Sequence, residues 1–124
     1  MKPILDENQP IFRQIAEIIM NDIVEGNLKE GDQVPSENEL SNFYNINRAT
    51  VRKGLQSLVD QDFIYKKRGL GMFVKEGAYL KIIQMRQKQY RSDYILPLVE
   101  EGKRLGMDLE TIIQLIKMEE ENID

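Results

Sequence analysis

The sequence predicts a mainly α fold with one small β-hairpin (α+β): an N-terminal helix-turn-helix with the hairpin behind it, then a two-helix C-terminal unit. Three observations predict it. Apolar residues recur at helical spacing over residues 10–25. The run P-S-E-N-E-L at 35–40 has the form of a capped helix start, and N-R-A-T-V-R-K at 47–53 opens a second helix a short turn later. Finally, K-K-R-G-L-G-M-F-V at 66–74 combines β-type residues with the glycines of a hairpin tip. The change of pattern after the hairpin divides the chain of 124 residues into domains 1–76 and 77–124.

In the first helix Ile11, Phe12, Ile15, Ile18, Ile19 and Ile23 form the apolar stripe and leave Arg13, Glu17 and Asp22 outside. Pro10 suits its first turn and Gly26 the left-handed position past its end. Residues 26–35 are turn chemistry, with Leu28 and Val34 tucking the loop inward. Ser36 and Glu39 form a capping box for the second helix, whose buried stripe is Leu40 and Phe43 and which ends near Tyr44. Asn45-Ile46-Asn47 is the turn, with Ile46 as an apolar plug and Asn47 as the next N-cap. The third helix runs from about Arg48 to Gln61 and buries Val51, Leu55, Leu58 and Val59. Gly54 inside it costs about 1 kcal/mol relative to Ala, which calls for close packing on a neighbouring helix. Phe63, Ile64, Met72, Phe73 and Val74 supply the strands of the hairpin, and Gly69 and Gly71 permit positive φ at its tip. Beyond Gly77, Leu80, Ile83, Gln87, Tyr90 and Tyr94 lie along one side of a long helical segment that Pro97 kinks or restarts. Asp108 caps a last helix, and residues 119–124 read as a frayed end.

Composition narrows the function classes. With no cysteine and no histidine, disulfides, thiolate chemistry and the commonest general base and transition-metal ligand are excluded. No nucleophile–base pair, metal-ligand cluster or cofactor motif can be assembled, so the chain reads as a non-enzyme without cofactor or metal. A signal peptide and membrane span are not expected, which places the protein in the cytoplasm. The net charge of −4 is unevenly distributed. Residues 1–47 hold three Lys/Arg against nine Asp/Glu, residues 48–91 eleven against three, and residues 92–124 three against nine. A basic middle between acidic flanks gives a polarised surface, and the basic block coincides with the third helix and the hairpin.

That block carries the recognition chemistry. With Val51, Leu55 and Leu58 buried, Arg48, Thr50, Arg52 and Lys53 project from the first turns of the third helix, the part that enters a DNA major groove in a winged helix-turn-helix. Arg can contact guanine O6 and N7 bidentately, and Thr a thymine methyl or a phosphate. Lys66, Lys67 and Arg68 precede the Gly69-Leu70-Gly71 tip, whose backbone can approach a duplex while the cations contact phosphate or the minor groove. Ser36 reads both as an N-cap and as part of a phosphate-binding helix start. The candidate DNA-binding residues are therefore Ser36, Asn38, Arg48, Thr50, Arg52, Lys53, Lys67, Arg68, Gly69 and Gly71.

The P-S-E-x-E-L of residues 35–40, R-x-T-V-R of 48–52 and R-G-x-G-x-F-V of 68–74 closely resemble the winged-helix domain of the GntR family of bacterial transcription regulators. The resemblance implies operator contacts by Arg48, Thr50, Arg52, Arg68 and Gly69. Asn38 stands where the family often has a DNA-contacting Arg, and Ala49 replaces a common small hydroxyl residue. The short segment after Gly77 resembles the two-helix dimerisation tail of the YtrA subfamily. It implies a homodimeric repressor on an inverted-repeat operator. Two amphipathic helices that cannot bury both stripes alone agree with pairing through a second copy. The alternative is a winged-helix protein-interaction adaptor that does not bind DNA. A small-molecule effector pocket built from Tyr79, Met85, Tyr90 and Tyr94 is a further possibility, although their helical spacing favours packing.

Overall fold

The computed structural model describes residues 5–123. The chain divides into two compact units, Met1–Gln84 and Met85–Asp124. The first unit holds α1 (Ile11–Val24), α2 (Glu37–Tyr44), α3 (Arg48–Asp60) and the hairpin strands β1 (Ile64–Lys67) and β2 (Gly71–Val74). Helix α4 (Ala78–Tyr90) begins in it and continues into the second unit.

The core of the first unit is built from Ile15, Ile18, Ile19 and Ile23 of α1, Leu40 of α2, Val51, Leu55 and Leu58 of α3, and Ile64 and Val74 of the hairpin, all buried. Each fully buried aliphatic side chain contributes about 1.5–3 kcal/mol relative to exposure, so this α1–α3 core is the main source of stability. Gly54 is where the two helices meet. A Cβ there would stand 2.6 Å from the Phe12 carbonyl oxygen and 3.1 Å from Ile15 Cβ. Close packing is thus the reason for the glycine.

The helix boundaries follow local chemistry. Ser36 Oγ accepts from the Glu39 amide at 3.0 Å while Glu39 Oε1 accepts from the Ser36 amide at 3.2 Å, completing the capping box. α2 ends in Asn45 at φ 54°, and the Asn47 side chain accepts from the Ala49 amide at 2.7 Å to start α3. Between them the Ile46 amide donates to the Ser41 carbonyl, and Ser41 Oγ donates back to the Ile46 carbonyl at 2.6 Å.

The hairpin is antiparallel, pairing Ile64 with Val74, Tyr65 with Phe73, Lys66 with Met72 and Lys67 with Gly71. Strand alternation sends Ile64 and Val74 to the core and stacks Tyr65 against Phe73 with ring centroids 6.0 Å apart. The loop before α2 adds a third, short ribbon. The Gly31 amide donates to the Val74 carbonyl, the Val74 amide to the Asp32 carbonyl and the Val34 amide to the Met72 carbonyl, at 2.8–2.9 Å.

Several expected core positions move. Phe43 is 53% exposed rather than buried, because Leu40 alone anchors the eight-residue α2 and Tyr44, one residue on, takes the half-buried place. In α4 the buried pair is Ala78 and Ile82, four residues apart, while Leu80 is exposed. The expected stripe through Leu80 and Ile83 is therefore rotated by part of a turn.

In the second unit a π-helical turn, Arg91–Ile95, joins α4 to α5 (Leu96–Arg104), and α6 (Leu109–Asn122) follows. Pro97 falls in the first turn of α5, directly after the π turn in which the Leu96 amide donates to the Arg91 carbonyl, so the helical ladder is widened where proline cannot donate. Asp108 accepts from the Thr111 amide at 2.9 Å and caps α6 as expected. α6 runs on to Asn122, so residues 119–122 are helical where fraying was expected. Gly102 is the one buried residue among the described residues of this unit, with Ile112 Cδ1 only 2.7 Å from where a Cβ would lie. Leu98, Gly102, Leu105, Ile112, Leu115 and Ile116 line an open apolar groove of about 660 Å³.

Candidate nucleic-acid interface

The first turns of α2 and α3 meet at one carboxylate. Glu37 Oε2 accepts from Arg52 Nε at 3.1 Å and Oε1 from Arg52 Nη2 at 2.7 Å. Arg48 Nε lies 3.4 Å from the same Oε1. The hydrogen-bonded Arg52 guanidinium, more than burial opposes it, holds the Glu37 carboxyl below its ordinary value, and Arg48 adds to the effect. Glu37 side chain is 21% exposed, whereas those of Arg48 and Arg52 are 58% and 62% exposed, so the cations stand in solvent on a part-buried anchor. The bidentate contact uses the Nε–Nη2 edge of Arg52. Its Nη1 lies outside that contact, so the exposed guanidinium keeps donors that a guanine edge or a phosphate can accept.

Lys53 Nζ lies 4.1 Å from the centroid of the Phe12 ring, and Ala49, Arg52 and Lys53 border a shallow hollow of about 450 Å³ with Phe12 and Gln56. Across the other side of Glu37, Ser36 faces the hairpin. Ser36, Glu37, Lys66, Lys67, Arg68, Gly69 and Gly71 line one cleft of about 380 Å³. Gly69 (φ 78°) and Gly71 (φ 116°) use the left-handed region at the tip, a conformation that side chains rarely adopt. Lys67 Nζ sits 4.8 Å from the centroid of the Phe73 ring, which steadies its stem along the strand.

The structure thus gathers Arg48, Arg52 and Lys53 on α3, and Ser36, Lys67, Arg68, Gly69 and Gly71 around the cleft, with Glu37 between the two groups. Asn38 is exposed on the first turn of α2 and Thr50 is half-buried on α3; neither belongs to these contacts. Ser36 Oγ is committed as an acceptor to its cap. Sequence reasoning missed Glu37 and Gln33, whose Nε2 donates to the Leu70 carbonyl at 2.9 Å. An acid beside the helix cap, facing two arginines across a tight turn, was the available signal for Glu37. Gln33 lies in a turn-rich loop and carries no such signal. The turn from α3 into β1 carries Asp62 at φ 68°, whose carboxylate pairs with Lys75 and, at 2.9 Å, with Lys81 Nζ.

Tyr79, Tyr90 and Tyr94 are exposed, and the rings of Tyr90 and Tyr94 pair with centroids 5.2 Å apart. The apolar groove of the second unit is lined by other residues. Among the described residues no helix is long and apolar enough to cross a membrane.

Comparison with known proteins places this geometry. The family model described as "Bacterial regulatory proteins, gntR family" matches residues 12–74, from the first turn of α1 to the end of β2. The chain is 41% identical over 69 residues to the mannosyl-D-glycerate transport/metabolism system repressor MngR of Escherichia coli K12, a match covering 56% of this chain and 29% of that protein. It spans less than a third of the length of the curated relatives it matches first. Among solved structures, a putative GntR-family transcriptional regulator from Bacteroides thetaiotaomicron superposes with a TM-score of 0.79 at 29% identity, over 92% of this chain and 99% of that one. YtrA from Sulfolobus acidocaldarius, a GntR-family transcription factor, gives 0.56 at 32% identity over 73% and 96%. AraR(DBD) in complex with operator ORX1 gives 0.52 at 33% identity over 60% and 90%.

Proposed function

The chain belongs to the GntR family of bacterial regulatory proteins, and from that premise we propose that it is a sequence-specific DNA-binding transcriptional regulator, a homodimeric repressor working in the cytoplasm. Residues 1–76 are its DNA-binding domain and residues 77–124 its dimerisation domain. The observation that carries the reading is the pairing of Arg48 and Arg52 with Glu37 at the start of α3, beside a hairpin bearing Lys66, Lys67 and Arg68. Among the described residues no polar or charged residue is buried, and the cations of this cluster stand in solvent where an anionic partner can reach them. In the docking that the elements support, the first turns of α3 enter the major groove with Arg48 and Arg52 on base edges or phosphates, and the hairpin follows the flanking backbone. The similarity to AraR(DBD) in complex with operator ORX1 supports operator binding by this domain.

Dimerisation is supported by the second unit itself. Leu98, Leu105, Leu109, Leu115, Ile116 and Met118 are all exposed there, more apolar surface than two or three helices leave open in a monomer. A two-fold dimer buries such a face against its own copy, and its two α3 helices then meet half-sites related by the same two-fold, an inverted repeat.

The test is affinity for duplex DNA enriched by the protein from a randomised pool, measured against scrambled DNA at several salt concentrations. A regulator of this kind enriches an inverted repeat and loses affinity steeply with salt. No enrichment, with weak and salt-independent binding, would favour the protein-interaction adaptor.

A further inference from the structure

The loop that leads into α2 also grips the tip of the hairpin. Residues 31–34 lie along β2, and the Gln33 side chain crosses the hairpin so that Nε2 donates to the Leu70 carbonyl at 2.9 Å. The fit depends on Gly71. A Cβ there would stand 2.7 Å from Gln33 Nε2, so the amide lies directly against the glycine backbone. Leu70 is the middle residue of the tip, between two glycines at positive φ, and its amide donates to the Lys67 carbonyl at 3.0 Å. A Gly-x-Gly tip is the most permissive kind of backbone. The Leu70 amide bond to Lys67 closes a turn over Arg68 and Gly69, and the Gln33 bond to the Leu70 carbonyl holds the Leu70–Gly71 peptide that follows, so the tip is tied on both sides of Leu70.

Gln33 stands three residues before Ser36, the cap of the helix whose Glu37 braces Arg48 and Arg52. One short segment, 33–37, therefore touches the hairpin tip at one end and the α3 arginines at the other.

We propose that Gln33 is a positioning residue for DNA recognition: its amide fixes the hairpin tip relative to the start of α3, so that Arg68 and the tip backbone engage the minor groove while Arg48 and Arg52 engage the adjoining major groove. The proposal rests on the DNA-binding reading above. Its physical basis is preorganisation. A tip that is already ordered loses little conformational freedom on binding, whereas a free Gly-Leu-Gly tip must be ordered by the DNA. Gln33 is exposed, so water replaces its hydrogen bond when the side chain is changed, and the hairpin remains folded on its β1–β2 ladder.

The experiment uses the full chain and a duplex enriched by the wild-type protein from a randomised pool. Gln33→Met keeps the length of the side chain and removes the donor; Gln33→Ala is the second variant, and circular dichroism melting checks that both fold. Affinity is measured for wild type, Gln33→Met, Gln33→Ala, Arg68→Ala and the Gln33→Met/Arg68→Ala double variant, and hydroxyl-radical footprints are taken for each. Gln33→Met is expected to weaken specific binding about five- to tenfold, tenfold being about 1.4 kcal/mol. Arg68→Ala is then expected to cost less in the Gln33→Met background than in wild type. Minor-groove protection flanking the site should fade while protection at the centre persists. Unchanged affinity and footprint, or strictly additive losses from the two substitutions, would overturn the proposal even if the melting temperature fell. Failure of the wild-type protein to enrich any sequence would instead overturn the DNA-binding reading on which it rests.

Discussion

Glu37 is an anion placed where the protein awaits anions. Its carboxylate lowers the local positive potential but fixes two guanidinium groups that would otherwise sample many rotamers. Replacing it, as Glu37→Gln, removes the charge and loosens the geometry together. Non-specific affinity should rise through the added net positive charge, while the ratio of specific to non-specific affinity should fall about fivefold, equivalent to the ~1 kcal/mol of a well-formed exposed ion pair. Competition anisotropy against scrambled duplex measures both; an unchanged ratio would remove Glu37 from recognition. The pH dependence has a definite sign. The folded-state carboxyl is held below its ordinary value, so the stabilisation is complete above about pH 4.3 and is lost as pH falls through the folded value. Wild type and Glu37→Gln should accordingly converge in stability in acid unfolding and differ most near neutrality. Tyr44 presents the opposite case, a buried hydroxyl without a hydrogen-bond partner among the described residues, its phenol pushed up by burial and then by Asp22. Tyr44→Phe discards an unsatisfied group and should change stability by no more than about 0.5 kcal/mol, in the stabilising direction if at all. A urea melt showing a large loss would mean that the hydroxyl has a partner.

At the scale of elements, Gly54 joins α1 and α3. Alanine would gain about 1 kcal/mol in helix propensity, but its Cβ would meet the Phe12 carbonyl at 2.6 Å. Overpacking of this kind costs about 1–3 kcal/mol and a backbone carbonyl cannot step aside, so the clash wins and Gly54→Ala should lower the melting temperature. A raised melting temperature would show that the helices can separate without loss. The caps at Ser36, Asn47 and Asp108 were legible in the sequence because each is a bond between a side chain and an amide two or three residues away. The close approach at Gly54 was legible because a helical glycine needs a reason. Phe43 and Ile82 were not, since which neighbour of a stripe is buried depends on the angle at which helices pack, which the stripe itself does not encode. The α3 residues proposed for recognition were chosen on motif and periodicity, whereas Gln33 meets Leu70 across a separation of 37 residues with nothing local to mark it.

For the whole molecule, six of the eleven Lys and Arg residues of the basic middle stand on α3 and the hairpin and the other five follow β2, while the acidic C-terminal stretch belongs to the helices with the exposed apolar face. The dimeric repressor proposed above would use both. Leu115→Asp with Ile116→Asp places two charges on the apolar groove, and the variant should sediment as a monomer while retaining the helical circular dichroism of its first unit. Its affinity for a full inverted repeat should drop to that for a single half-site, and unaltered sedimentation would exclude this face as the dimer interface. The most direct test of the central claim is the salt dependence of binding to an enriched duplex, for wild type and for Arg48→Ala with Arg52→Ala. The account predicts a steep fall of affinity with salt for wild type, each phosphate contact adding about 0.9 to the log–log slope, and loss of preference over scrambled DNA in the double variant. A double variant that still prefers the enriched duplex as strongly as wild type would contradict it.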